Sequence, residues 1–525
     1  MTLTDLQTLS PGMYNTKAQL SRHIVERTMA ALKMGEDYKD TLKTDEEVRR
    51  YQEKIRESFI TDCLGGMDFP DSPLEPEITG VIDEGGFTIE KIIFQSRPKV
   101  YVTCNLYLPK GITKPTGAVL FLCGHHITAK HESEYQIVCR YLVKAGLVVL
   151  SQDPFGQGER LSYYEPTLKT ELMSSCLEHD YVGMKSWPFM QSSARYFLHD
   201  AMRGIDYLQS RPEVDGTRIG VTGNSGGGLQ TTLLTLVDLR IAAAEPVTWM
   251  CSHAALMMTG GPADAEHIWL NFRGMGFEFE DMVIPMAPKP VLLLGTDYDF
   301  FPIEGLKHTA ERCKKVWDVF GAGDNFEMFT DQYTHSYTRT LARKATEFFS
   351  KHLNGIEITT HDDNGINAIL PSDLWCTKSG QIRGEIPDAR FMLDEIQDEK
   401  RGNRDLKKAK EWLSEVVYKD RISCEINRRR LIMDMQMADG FVFEQYMWAS
   451  QKDVFNYGVL LRPLEKQHEK IPVILAVWDN GTTDLAAHES FIRTKCAAGN
   501  AVFVLDASGM GNIEPNPTNM GNMRD

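Results

Sequence analysis

Five short, almost unbroken apolar runs limit most strongly how this chain can fold. They read GAVLFLCG (117–124), GLVVLSQD (146–153), RIGVTG (218–223), IAAAEPV (241–247) and PVLLLGTD (290–297), and FEMFTD (326–331) follows them. A strand covered on one face alternates apolar and polar side chains, whereas a run that is apolar throughout must be covered on both faces. Helix-forming stretches separate the runs, at 131–145, 191–210, 226–238, 304–319 and 339–353. This alternation predicts an α/β fold, a mostly parallel sheet with helices on both faces. Ahead of the first run, FTIEKIIFQS (87–96) and VYVTCNLYLP (100–109) are predicted to pair as a hairpin. Residues 160–190 break the rhythm and are expected to form an insertion over the strand ends.

At 525 residues the chain is long enough for more than one folding unit. Residues 17–60 are charged and helix-prone, and a proline-rich connector, DFPDSPLEPEITG (68–80), follows. Residues 1–80 are therefore expected to be a helical cap with its connector, and 81–355 the main α/β unit. Residues 356–384 are expected to be a linker, and 385–525 a second unit. That second unit repeats the start of the first. GGFTIEKIIFQSRPKVYVTCNLYLP (85–109) aligns without a gap on DGFVFEQYMWASQKDVFNYGVLLRP (439–463). AGLVVLSQDPFGQGE (145–159) aligns on AGNAVFVLDASGMGN (498–512), with the Asp-x-x-Gly-x-Gly ending kept. Matches in the same order predict a partial second copy of the same unit, without a counterpart of the segment around residue 225. Such a half-sheet would leave an apolar edge. It is expected to dock on the first unit, to pair with another chain as a homo-oligomer, or to mark a shortened version of a longer protein.

Charge and composition exclude several partners. The net charge of −16, from 57 basic and 73 acidic residues, is wrong for a general nucleic-acid binder. The short basic run Arg428–Arg430 is expected to be a solvated helix face. No window approaches the roughly 18 apolar residues of a membrane span, so no membrane association is expected. The opening MTLTDLQTLSPGMYNTKAQL has no basic stretch leading into an apolar one, and no signal peptide is expected. Ten cysteines without a CxxC pair are expected to be reduced thiols of a cytoplasmic protein, not a disulfide framework or a structural zinc site.

The chemistry centres on VTGNSGGG (221–228), a serine among glycines where a strand gives way to a helix. Gly223-Asn224-Ser225-Gly226-Gly227 fits the G-x-S-x-G pattern of a nucleophile turn, in which glycines clear space for an exposed serine. A phosphate-binding turn would call for a following lysine, and none is present. A serine hydroxyl needs a base, and the base needs an orienting acid. VLLLGTDYDFFP runs from a strand into Asp297 and Asp299, and FEMFTDQYTHSYTR ends in a loop bearing His335. The order serine, acid, histidine is met, with Asp299 favoured over Asp297 because it lies further into the loop.

Two backbone N–H groups should stabilise an oxyanion: that of Gly226 and that of His125 in LCGHHITAK, after the first apolar run. His125 and His126 could alternatively bind a metal. No H-E-x-x-H motif or third ligand lies near them in the chain, so no metal and no cofactor are expected. In DPFGQGERLS (153–162), Asp153 is expected at a strand end, with Glu159 and Arg160 paired to each other. His267 is expected to be structural.

SRPEVDGTRIGVTGNSGGGLQTT, DPFGQGER and DYDFFPIEG resemble the acetyl xylan esterase and cephalosporin-C deacetylase-like branch of the α/β-hydrolase superfamily, within the wider group of prolyl-oligopeptidase-type serine hydrolases. The resemblance covers residues 85–353. It implies an α/β-hydrolase fold, an acyl-enzyme mechanism with Ser225, Asp299 and His335 as the triad, and oxyanion donors at His125 and Gly226. The chain departs from the pattern in reading Cys-Gly-His where many relatives have His-Gly, and in carrying the half-copy. The expected function is a serine carboxylesterase for small acyl esters, acetyl foremost, of carbohydrates or related metabolites. The alternatives are a prolyl-oligopeptidase-type peptidase, against which the lack of propeller repeats speaks, and a non-catalytic scaffold on a hydrolase fold.

Overall fold

The computed structural model describes residues 15–260, 263–399, 405–418, 430–436 and 440–515. The chain divides into two compact units, Ala31–Arg401 and Met1–Ala30 with Gly402–Asp525.

In the larger unit the strands are β1 (Glu77–Asp83), β2 (Phe87–Arg97), β3 (Val100–Pro109), β4 (Thr116–Leu122) and β5 (Val148–Gln152). A small hairpin follows, β6 (Tyr164–Glu165) and β7 (Thr170–Glu171), and then β8 (Val214–Asn224), β9 (Ile241–Val247), β10 (Val291–Thr296) and β11 (Phe326–Asp331). Nine of these form one sheet in the order β1-β2-β3-β5-β4-β8-β9-β10-β11. The first four are antiparallel neighbours, and every pairing from β5 to β11 is parallel.

The apolar runs behave as their composition requires. In β4, Ala118, Leu120 and Leu122 enter one hydrophobic core while Val119 and Phe121 enter another. The two cores are therefore the two faces of the sheet, and consecutive residues serve opposite ones. Helices Ser133–Lys144, Ala194–Ser210, Gly226–Val237, Ile303–Val319 and Arg339–Phe349 fall at the predicted places. β1 is an addition: its residues overlap the proline-rich segment read as a connector, and its exposed edge position gave it no apolar signature.

The segment 356–384, expected as a linker, packs into the larger unit instead. Leu374 and Ile366 are buried in its core, Cys376 N–H donates to Glu159 at 2.7 Å, and Gln381 Nε2 donates to the Gly158 carbonyl at 2.7 Å. The polar composition of the segment hid these long-range bonds. Between β5 and β8 lies the expected insertion, built from the β6–β7 hairpin, a helix Ser175–Gly183 and a short turn of helix Met184–Phe189.

The smaller unit holds β12 (Arg430–Gln436), β13 (Phe441–Gln451), β14 (Val454–Pro463), β15 (Val473–Ala476) and β16 (Ala501–Asp506) in the order β12-β13-β14-β16-β15. This reproduces the order β1-β2-β3-β5-β4. The likeness extends to detail: Phe87 faces Pro109 as Phe441 faces Pro463, and the bulge at Gln95/Arg97 recurs at Ala449/Gln451. The strand-end turn is copied as well. Asp153 accepts the N–H of Glu159, and Asp506 that of Asn512. Gly158 and Gly511 have φ of 58° and 57°, and a Cβ at either would come within 2.2–2.3 Å of that aspartate. Only glycine fits there. Arg428 and Arg429 lie outside the described residues, and Arg430 opens a strand, not a helix face.

Among the described residues no helix is long and apolar enough to cross a membrane. The nine cysteines among them are free thiols.

Candidate active site

The turn after β8 places Ser225 at φ 57°, ψ −117°, immediately ahead of the helix Gly226–Val237. This left-handed conformation costs a non-glycine residue on the order of 1–3 kcal/mol and persists only where the surroundings enforce it. Two neighbours do so. The Ser225 N–H donates to Val247 O at the end of β9 (2.9 Å), and the end of β4 presses on the other side. A Cβ at Gly227 would lie 2.0 Å from the Leu122 carbonyl oxygen, and one at Gly223 2.4 Å from it. Ser225 is half-buried while its neighbours on both sides are buried. The N–H of Gly226, in the first turn of the helix, has no partner within the helix and lies at its positive end.

Asp299 and His335 follow β10 and β11, parallel neighbours whose carboxyl ends share the rim that carries Ser225. His335 Nδ1 lies 2.8 and 3.0 Å from the two oxygens of Asp299. Asp299, whose side chain is only 3% exposed, also accepts from Thr296 Oγ1 (3.1 Å) and the Phe301 N–H (3.0 Å). The ring of Phe300 packs against His335 with centroids 4.2 Å apart. The pairing falls on Asp299 and not on Asp297, whose backbone N–H is engaged by Asp331 O.

The loop after β4 brings His125 onto the serine turn: a Cβ at Gly226 would meet the His125 ring at 2.5 Å. All three carbonyls of Gly124–His126 are held by side chains of the insertion and its preceding turn. Gln157 Nε2 donates to Gly124 O and His126 O at 2.6 Å each, and Ser175 Oγ donates to His125 O at 2.7 Å. Gln157 and Ser175 were not singled out from the sequence. A glutamine between two glycines was the available signal for the first; nothing marked the second.

His125 Nε2 lies 2.6 Å from Glu266 Oε1, and His179 Nδ1 lies 2.8 Å from the same oxygen. The other nitrogen of His179 faces Phe155 O at 2.7 Å. Burial opposes a charge on His179, but Glu266 outweighs it and holds its pKa up at about 9. Asp264 and His267 complete the group around His125. The three further candidate ligands that the sequence did not offer near His125, Asp264, Glu266 and His267, thus arrive from about 140 residues away. His126 turns elsewhere, to Thr128 (2.9 Å) and Glu132 (2.9 Å).

The expected Glu159–Arg160 pair does not form. Glu159 meets Lys130 at 2.7 Å, and Arg160 meets Asp200 at 2.7 Å. Each finds its partner in another element, Lys130 after β4 and Asp200 in the helix Ala194–Ser210. Asp153 does end its strand, accepting from Thr103 Oγ1 at 2.7 Å.

No protein-family model matches the sequence. The methylesterase BT1017 superposes with a TM-score of 0.53 at 18% identity, over 74% of this chain and 81% of that one. The fold is that of an α/β-hydrolase. A Bacillus subtilis protein named "Putative hydrolase YtaP" is 24% identical over 299 residues, which is 54% of this chain and 95% of that protein. A Solibacter usitatus glucuronoyl esterase gives a TM-score of 0.45 at 16% identity, over 57% of this chain and 91% of that one.

Proposed function

We propose that the protein is a serine carboxylesterase that hydrolyses small acyl esters, acetyl foremost, of carbohydrates or related metabolites. The observation that carries the reading is His335 held by both oxygens of Asp299, on the same sheet rim as a serine in a strained turn. The names borne by two similar proteins, a hydrolase and a methylesterase, support ester hydrolysis.

In this reading Ser225 Oγ attacks the ester carbonyl while His335 Nε2 takes its proton. Asp299 fixes the Nδ1–H tautomer and stabilises the imidazolium. The N–H groups of Gly226 and His125 receive the negative charge forming on the carbonyl oxygen, the term that usually contributes most. The imidazolium then protonates the leaving alcohol. Water, deprotonated by His335, cleaves the acyl-enzyme and releases the acid.

The test is Ser225→Ala, with a fluorophosphonate probe on the unsubstituted protein. The rate should fall by about 10⁴–10⁶-fold, and the probe should label Ser225. Wild-type turnover by the folded variant would end the assignment. A panel of acetylated sugars, longer acyl esters, methyl esters of uronic acids and a proline aryl amide identifies the substrate. Preference for the amide would favour the peptidase reading.

A further inference from the structure

We infer that His125, Asp264, Glu266 and His267 form a binding site for a divalent transition cation of the zinc class, beside the serine turn. His125 Nε2 lies 2.6 Å from Glu266 Oε1 and 3.7 Å from Asp264 Oδ2, and His267 Nε2 lies 3.8 Å from that same Asp264 oxygen. One ligand atom from each of the four residues falls within 4.8 Å of all the others. A tetrahedral zinc with bonds of about 2.0–2.1 Å spaces its ligands about 3.3 Å apart. The three separations of 2.6–3.8 Å bracket that value and the others stay within 4.8 Å, so shifts of at most about 1.5 Å would seat the ion. Two imidazoles with two carboxylates suit zinc better than magnesium or calcium, which prefer oxygen alone.

Two further observations point to a cation. Glu266 is fully buried, yet among the described residues its Oε2 has no hydrogen-bond partner. A buried carboxylate oxygen is costly to leave so. Second, the carboxylates lack the partner used elsewhere in the molecule. Asp153 and Glu159 also meet beside a histidine, His131, but there the Lys130 ammonium sits between them. Glu280 and Asp281 share Lys39. Among the described residues no lysine or arginine reaches Asp264 or Glu266, whose ion pairs are all to histidines. A divalent ion would add positive charge beside these carboxylates, whose ion-pair partners are otherwise imidazoles, His179 among them.

Ligation needs each histidine to present a lone pair at Nε2. His125 would pass its proton to Nδ1 and exchange the Glu266 hydrogen bond for a shared ion. His267 would carry its proton on Nδ1 and give up the long contact there from the Asp264 N–H (3.3 Å). His125, Asp264 and His267 are partly exposed, which leaves the ion a way in. Bound there, it would tie the loop after β4 to the segment after the helix His253–Thr259 and hold His125 against Gly226.

The test uses the full chain, stripped with a chelator and titrated with Zn²⁺ against a chromophoric competitor. One zinc per chain with a micromolar or tighter Kd is expected. Asp264→Asn with Glu266→Gln should weaken binding by at least about tenfold, since changes one shell further out already cost 10–100-fold. His126→Ala should bind as the unsubstituted chain does. Substoichiometric zinc, unchanged affinity in the double variant, or loss of binding in His126→Ala would overturn the site. Should the double variant not fold, Co²⁺ on the unsubstituted chain decides: intense visible bands of a four-coordinate site support it, and a weak six-coordinate spectrum overturns it. These readouts do not depend on esterase activity.

Discussion

Replacing Asp299 by asparagine tests the proposed triad through one proton. In the structure each carboxylate oxygen has two donors: Oδ1 accepts from His335 Nδ1 and the Phe301 N–H, and Oδ2 from His335 Nδ1 and Thr296 Oγ1. The Phe301 N–H can only donate, so asparagine keeps its carbonyl oxygen at that position. Its NH₂ group then takes the Oδ2 position, where the threonine hydroxyl can turn round and accept. The amide now offers a proton to His335 Nδ1, favouring the tautomer with hydrogen on Nε2. That tautomer cannot take the serine proton. The same change in the serine-protease triad costs about 10⁴ in kcat, or roughly 5.5 kcal/mol of transition-state stabilisation. We expect a loss of that order in kcat for aryl acetate hydrolysis. KM should be little changed, and so should the melting temperature, because shape and hydrogen-bond count are kept. A loss of less than about tenfold, or one confined to KM, would show that Asp299 does not govern the His335 proton.

Lys130→Met should destabilise the larger unit by about 3–5 kcal/mol in urea unfolding, because it strands the buried carboxylates Asp153 and Glu159; a cost below about 1 kcal/mol would refute their ionised pairing. His199 gives a pH dependence. Burial, and then the Arg97 guanidinium that donates to its Nδ1 at 3.2 Å, lower its pKa to about 4, against about 6.5 when unfolded. The neutral form is the one the fold holds, so this contribution is complete above pH 6.5 and is lost as the pH falls towards 4. Between pH 7 and 5 it should remove at most about 2 kcal/mol. His199→Asn should flatten that part of the urea-midpoint profile, and parallel profiles for the two proteins would count against it.

The elements most legible in the sequence were those whose signal is local. β4, β5, β9 and β10 are buried on both faces and announce themselves as apolar runs. The serine turn is written in its glycines, because backbone passes too close for any other residue. Asp299 could be separated from Asp297 by its distance past the strand, and the hydrogen bond to His335 falls where that reasoning placed it. β1 was hidden because an exposed edge strand needs no apolar pattern. Residues 356–384 looked like a linker because their anchors are single buried side chains and backbone bonds to Glu159 and Gly158.

The partners of charged side chains were the least legible. Glu159 and Arg160 are adjacent and opposite in charge, yet each pairs across the fold, with Lys130 and Asp200. Local order along the chain thus determined the strands, the helices between them, the serine turn and the repeated half-sheet, because each follows from a periodicity or a steric demand within a few residues. Only the tertiary structure decided which side chains meet: Gln157 and Ser175 on the loop at His125, and Glu266, His179, Asp264 and His267 around its ring. Burial favours a partner for each polar group, but which partner depends on segments that only the packed sheet brings together.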